Sequence, residues 1–176
     1  KMKKLLIGAL LAFFSVSSMA VDGYKNIKFG DTVKQVLSSK LCNFEKMPNT
    51  SGLKQMSQYG CADFKFSGKS SLVVATFIDD KFRKLIINVD PDINPLLNSL
   101  MEKYGAPNAM SSQDELNKAQ VNSDEYSLFV DFDKGTVSLK VEKSKNKPVM
   151  ALLIYSDINF DKELSEIKNK NLADDI

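Results

Sequence analysis

The chain of 176 residues has no histidine and no tryptophan. Without histidine there is no Ser–His or Cys–His nucleophile pair, no ordinary base near neutral pH and no common zinc site. The lack of tryptophan weakens a carbohydrate-stacking reading. Cysteine is scarce: Cys42 and Cys61 are the whole complement, too far apart for a thioredoxin-type C-x-x-C pair. A charge of one sign is missing as well. The chain has 24 basic and 22 acidic residues, and setting aside Lys1, Lys3 and Lys4 leaves 21 against 22. A near-neutral body gives no electrostatic reason to expect nucleic acid or an anionic membrane as partner.

A long apolar run is absent too. The longest, Leu5 to Val16, is shorter than the roughly 20 residues a membrane helix needs. It follows Lys1-Met2-Lys3-Lys4 and precedes Ser17-Ser18-Met19-Ala20, giving a basic start, an apolar middle and small residues at −3 and −1. This is the pattern of a cleavable signal peptide. Residues 1–20 are therefore expected to be removed, leaving a soluble periplasmic or secreted body over 21–176. No cysteine follows the cleavage point, which argues against lipidation. In an oxidising compartment Cys42 and Cys61 are expected to form a disulfide. It would close a loop of about 20 residues, worth roughly 3 kcal/mol.

The body of about 156 residues suits one domain or two very small ones, and is read as a single body. A helix is expected over 31–41, capped by Asp31 or Thr32. Strands follow at 59–66, 71–79 and 82–89, the last two joined by Asp79-Asp80-Lys81. Ile93, Leu96, Leu97, Leu100, Met101 and Tyr104 make one apolar helical stripe. Asn94 is the expected cap, Pro95 the first helical residue, and Gly105 and Pro107 the stop. The polar stretch 106–124 has room for a short helical turn over Ser112 to Ala119. Strands at 125–132, 136–142 and 149–155 and a C-terminal helix carrying Phe160, Leu164 and Ile167 complete the reading. Residues 169–176 are expected to fray. The halves 21–92 and 93–176 share an order, helix then antiparallel meander. The fold class is thus α+β with tandem helix-plus-meander halves and helices on one face of the sheet.

Two phrases carry a family resemblance. Ile27-Lys28-Phe29-Gly30-Asp31-Thr32 through Val36 is similar to the opening of outer-membrane assembly lipoproteins of the SmpA/OmlA type. Leu100-Met101-Glu102-Lys103-Tyr104-Gly105-Ala106-Pro107 looks like a phrase common in small exported bacterial proteins. The element order resembles the β-lactamase-inhibitory proteins, which implies a sheet laid against a partner enzyme. The lipoproteins carry a lipidated cysteine that this chain lacks, and the inhibitory proteins carry a disulfide in each repeat.

No catalytic constellation stands out. Ser144-Lys145-Asn146-Lys147 matches S-x-x-K but lies in a polar loop without its companion motifs. Asp90-x-Asp92-x-Asn94 opens like a calcium loop, yet has Pro95 where glycine is required and Met101 where glutamate is required. No metal or cofactor is expected, and no enzyme activity. Phe77 and Phe129 fall out of phase with their apolar neighbours, which suggests aromatic contacts on an exposed sheet face. The expected function is a non-enzymatic protein-binding module of the cell envelope. One alternative is an inhibitor of a lysozyme- or β-lactamase-type hydrolase that uses the Asp79-Asp80 turn. The other is a carboxylate hydrolase built on residues such as Asp63, Asp131, Asp133 or Asp157.

Overall fold

The computed structural model describes residues 20–122 and 124–174. The leader expectation, Ala20 apart, lies outside them. The chain opens with β1 (Gly23–Tyr24), β2 (Ile27–Lys28) and α1 (Val33–Leu37). The first-half strands are β3 (Glu45–Lys46), β4 (Met56–Phe66), β5 (Lys69–Ile78) and β6 (Lys81–Val89). Then come α2 (Asn94–Tyr104), β7 (Ala109–Met110) and α3 (Gln113–Val121). β8 (Tyr126–Phe132), β9 (Val137–Lys143), β10 (Met150–Ser156) and α4 (Phe160–Asp174) complete the chain.

β3 to β10 form one antiparallel sheet in the order β3-β4-β5-β6-β10-β9-β8-β7. Each meander pairs with itself, and the seam between the halves is β6 on β10, with Leu85 opposite Tyr155 and Ile87 opposite Leu153. These seam residues are buried, so burial on the two central strands supplies much of the stability, at about 1.5–3 kcal/mol per large apolar side chain. Both sheet edges end in two-residue strands, β3 and β7. Short edges limit pairing with a further chain.

The core side of the sheet carries Val73, Ala75, Phe77, Leu85, Ile87, Leu139 and Leu153. Against it pack Leu100 of α2, Val36 of α1 and Ile27 of the N-terminal hairpin. Thr32 caps α1 through a reciprocal pair with Gln35, which is the capping-box arrangement. That helix stops at Leu37, shorter than the expected 31–41. Gly23 is required by closeness: a Cβ there would lie 2.1 Å from the Ile27 carbonyl oxygen.

The expectation of helices on one face is corrected. Lys84 points away from the side of Leu85, and its Nζ lies 3.9 Å from the centroid of the Phe160 ring. α4 therefore covers the opposite face. Arg83 fastens it, with 2.9 Å contacts to Asp157 and Glu163. This helix runs through Asp174, past the point where fraying was expected. α2 is found over the expected residues, but Ile93 precedes it without a side-chain cap in place of Asn94.

Candidate binding groove

The β8 and β9 strands alternate as the sequence suggests, so Leu128, Val130, Leu139 and Val141 share one face. Val130 pairs with Leu139 and Leu128 with Val141. α2 lies at one side of this floor with Ile93 and Leu97. α3 lies at the other with Leu116 and Ala119. Ser112 and Glu115 fix the start of α3 by a capping box, and Gly105 ends α2 by donating to the Met101 carbonyl. The two helices do not close over the floor. What remains is a groove of about 680 Å³, with Met110 at its rim and Val149 among its lining residues.

The polar groups of this groove are few. Ser111 is buried, and its Oγ accepts from the Phe129 N–H at 3.0 Å, so it is committed to holding β7 beside β8. Gln120 and the Tyr126 phenol complete the polar lining. The lining has no carboxylate, amine or thiol. Such a surface cannot supply an acid–base pair or a metal ligand set, and it suits apolar side chains or alkyl groups.

The other face of the sheet is half open beyond the reach of α4. Val74, Ile86 and Ile154 stand in register across β5, β6 and β10. The next row is Asn88, Leu152, Lys140 and Phe129. Leu72 at 52% and Met150 at 42% exposure border it.

The residues singled out from sequence distribute unevenly. Cys42 and Cys61 are joined, with 6.3 Å between their Cα atoms. Asp63 lies close to both sulfurs, but the disulfide commits the thiols. Asp63 instead accepts from the Asn43 side chain at 2.6 Å. Asp79 and Asp80 form an exposed two-residue turn, both with positive φ, of 48° and 62°. That matches the geometry a tight hairpin demands. Phe129 is half-buried and lies on the opposite face from Leu128 and Val130, as its phase implies. Phe77 is a correction. It is completely buried, stacked edge-on against Tyr59 and tilted against Phe82. Its neighbours Thr76 and Ile78 are buried too, on the face of Lys84, so neither phase at this position reaches solvent. Nor do these residues form one surface. Phe129 lies three strands from β6 and level with Asn88, at the far end from Lys81 and the Asp79-Asp80 turn.

A second hollow, of about 690 Å³, lies beside the N-terminal segment. Tyr24 and Tyr155 meet edge to face within it, at 4.8 Å. Burial, and then the neighbouring Tyr104, push the Tyr155 phenol well above its ordinary range. Tyr24 shifts the same way for the same two reasons.

A short helical turn over Ser112 to Ala119 was expected, but not the full α3 to Val121, nor β7, nor the place of their residues in the groove. Ser112-x-x-Glu115 was the available signal, because a hydroxyl followed three residues later by glutamate marks a helix start.

The class defined by these features is an α+β protein with four helices and an eight-stranded antiparallel sheet, among the described residues. The chain belongs to a family described as "Uncharacterised protein", matched over residues 24–175. It is similar to an uncharacterised protein of Haemophilus influenzae, 26% identical over 181 residues, spanning 100% of this chain and 99% of that one. It is also similar to one from Pasteurella multocida, 26% identical over 167 residues, spanning 86% of this chain and 85% of the relative. No solved structure matches. The comparisons assign the chain to neither the assembly lipoproteins nor the β-lactamase-inhibitory proteins. Among the described residues no helix is long and apolar enough to cross a membrane, and the disulfide fits an oxidising compartment.

Proposed function

We propose that the protein is a non-enzymatic binding module of the bacterial cell envelope, exported by residues 1–20. It takes an apolar segment of a partner protein into the groove between α2 and α3. The observation that carries this reading is the groove itself: about 680 Å³, flanked by two helices, open on one side and lined without any carboxylate, amine or thiol. A partner's helix or strand delivers a row of apolar side chains to such a groove. The proposal needs no chemistry from the protein. The two halves are a tandem pair, a proposal supported by the parallel element order on the two sides of the β6–β10 seam.

The test is a pull-down from envelope extract with the mature chain, residues 21–176, beside two variants. Leu97→Lys places a charge in the groove, and Leu72→Lys places one on the open sheet face. A stoichiometric partner lost with Leu97→Lys and kept with Leu72→Lys supports the groove. The reverse pattern moves the site to the sheet face. No partner with any of the three counts against a protein-binding module.

The second reading, a hydrolase inhibitor, draws on one observation. The acidic Asp79-Asp80 tip is exposed yet held in place, by Asp79 N–H donating to the Gln55 carbonyl at 2.9 Å and by the Thr32–Lys81 bridge. A held acidic tip suits insertion into a basic cleft. Loss of lysozyme or β-lactamase activity on adding the protein, restored by Asp79→Ala with Asp80→Ala, would favour it.

A further inference from the structure

The backbone nitrogen of Val21 donates to Asp133 Oδ2 at 2.5 Å, across 112 positions of sequence. Val21 is also the residue that follows Ala20, the −1 position of the cleavage pattern read above. Resting on that export reading, we propose that cleavage between Ala20 and Val21 converts this contact into an ion pair. The new α-ammonium of Val21 then holds the N-terminal hairpin to the β8–β9 turn through Asp133. In the uncut chain the donor is a neutral peptide N–H. Hydrolysis of that one bond adds a water molecule, leaves a carboxylate on Ala20 and leaves a protonated amine on Val21. The positive charge therefore arises at an atom already placed against a carboxylate.

The acceptor is held for this contact. Asp133 Oδ2 also accepts from Thr136 Oγ1 at 2.6 Å, and Thr136 is 1% exposed. Asp133 and Lys134 both have left-handed backbone, with φ of 49° and 60°, a conformation that non-glycine residues adopt only when neighbours enforce it. Here the Lys134 N–H donates to the Asn108 side chain at 2.6 Å.

The donor is held as firmly. The Val21 side chain packs against the core. The Asp22 carbonyl accepts from the Phe29 N–H at 2.8 Å, and Gly23 allows the close passage to Ile27. The uncut contact is already charge-assisted through its carboxylate, and cleavage adds the attraction between two opposite charges. Processing thus strengthens a fixed contact without moving it.

The titratable groups around the same hollow are Asp22, Tyr24, Lys25, Lys103, Tyr104 and Tyr155, with Lys134 adjoining Asp133 along the chain. An amine that gains a carboxylate partner titrates higher folded than unfolded. Its contribution is full below its unfolded value of about 7.7–8.0 and is lost as pH rises through the folded value.

The experiment compares two chains, one beginning at Val21 and one extended by the natural Ser18-Met19-Ala20. Each is made with Asp133 and with Asp133→Asn, and melted at pH 6.5 and pH 10. The chain beginning at Val21 is expected to melt about 2–4 °C higher at pH 6.5, with the difference gone at pH 10 and in Asp133→Asn. Equal melting of the two Asp133 chains at pH 6.5, or a difference that survives in Asp133→Asn, overturns the pair. If Asp133→Asn fails to fold, NMR titration of the ¹⁵N-labelled Val21 amine decides. A value above about 8 supports the pair, and one at or below it overturns it. Sequencing the first residues of the periplasmic protein separates this from the export reading. A start other than Val21 removes the processing step and overturns the proposal by that route. A Val21 start with equal melting temperatures overturns the pair alone.

Discussion

Lys84 Nζ lies 3.9 Å above the centroid of the Phe160 ring, on the side of the sheet that does not carry Leu85. The contact fastens the C-terminal helix to the central strand β6. Phe160 is 6% exposed. Phe160→Ala is expected to cost about 3 kcal/mol, read by urea denaturation, with loss of helical ellipticity preceding loss of the sheet.

Burial holds the Lys84 amine below the ordinary lysine value, against a smaller opposing pull from Asp161. A lysine whose folded value is depressed takes up fewer protons folded than unfolded, so its contribution to stability rises as pH climbs towards 10.5. Lys84→Met keeps the stem on Phe160 and removes the buried charge. Its melting temperature at pH 7 is expected to equal or exceed that of the parent. A fall of more than about 2 °C would show that the cation–ring attraction outweighs burial.

Arg83 bridges two carboxylates, Asp157 and Glu163, with all three side chains under a third exposed. Arg83→Ala leaves both acids without their cation and is expected to cost about 2–4 kcal/mol. Arg83→Lys should recover only part, because a lysine lacks the planar fork that reaches two acceptors at once. Equal stability of the Lys and Arg proteins in thermal melts would contradict the bridge.

The Cys42–Cys61 bond closes a loop with a sequence separation of 19. Replacing both cysteines by serine is expected to lower stability by roughly 3 kcal/mol. Dithiothreitol should lower the melting temperature of the parent and leave that of the double variant unchanged.

Tyr155 loses its proton at higher pH when folded than when unfolded, because burial and Tyr104 disfavour the phenolate. The unfolded chain therefore releases this proton first as pH passes the ordinary value of 10.0, and stability falls from there upward. Urea midpoints measured from pH 8 to pH 11 should drop steeply in the parent and more gently in Tyr155→Phe.

Several parts of this arrangement were legible in sequence and others were not, for physical reasons. α2 declared itself because six apolar residues keep helical spacing up to Gly105 and Pro107. The Asp79-Asp80 hairpin did so because β-branched arms flank a turn. α3 did so only as a short turn, since Leu116 and Ala119 are its main apolar contacts and the start signal at Ser112 and Glu115 is polar. Phe77 was misplaced because alternation separates two faces without saying whether each is covered. Here Thr76 and Ile78 are buried on the face of Lys84, while the core buries Phe77. The apolar positions of α4 were visible, but its side of the sheet depends on Arg83 and Lys84 of a strand some 80 residues earlier. The groove was invisible for a related reason: Leu97, Leu116, Leu128 and Leu139 come from four elements and meet only when these pack together.

On the proposed export reading, in which the chain leaves a membrane pore N-terminus first, the seam between β6 and β10 has a consequence. Val89 finds its partner in Ala151, so one flank of β6 stays bare until almost the whole polypeptide has emerged. The first meander reaches the far side with an open flank and an incomplete core. A chain cut before Met150 lacks β10 altogether and leaves that flank of β6 without its strand partner.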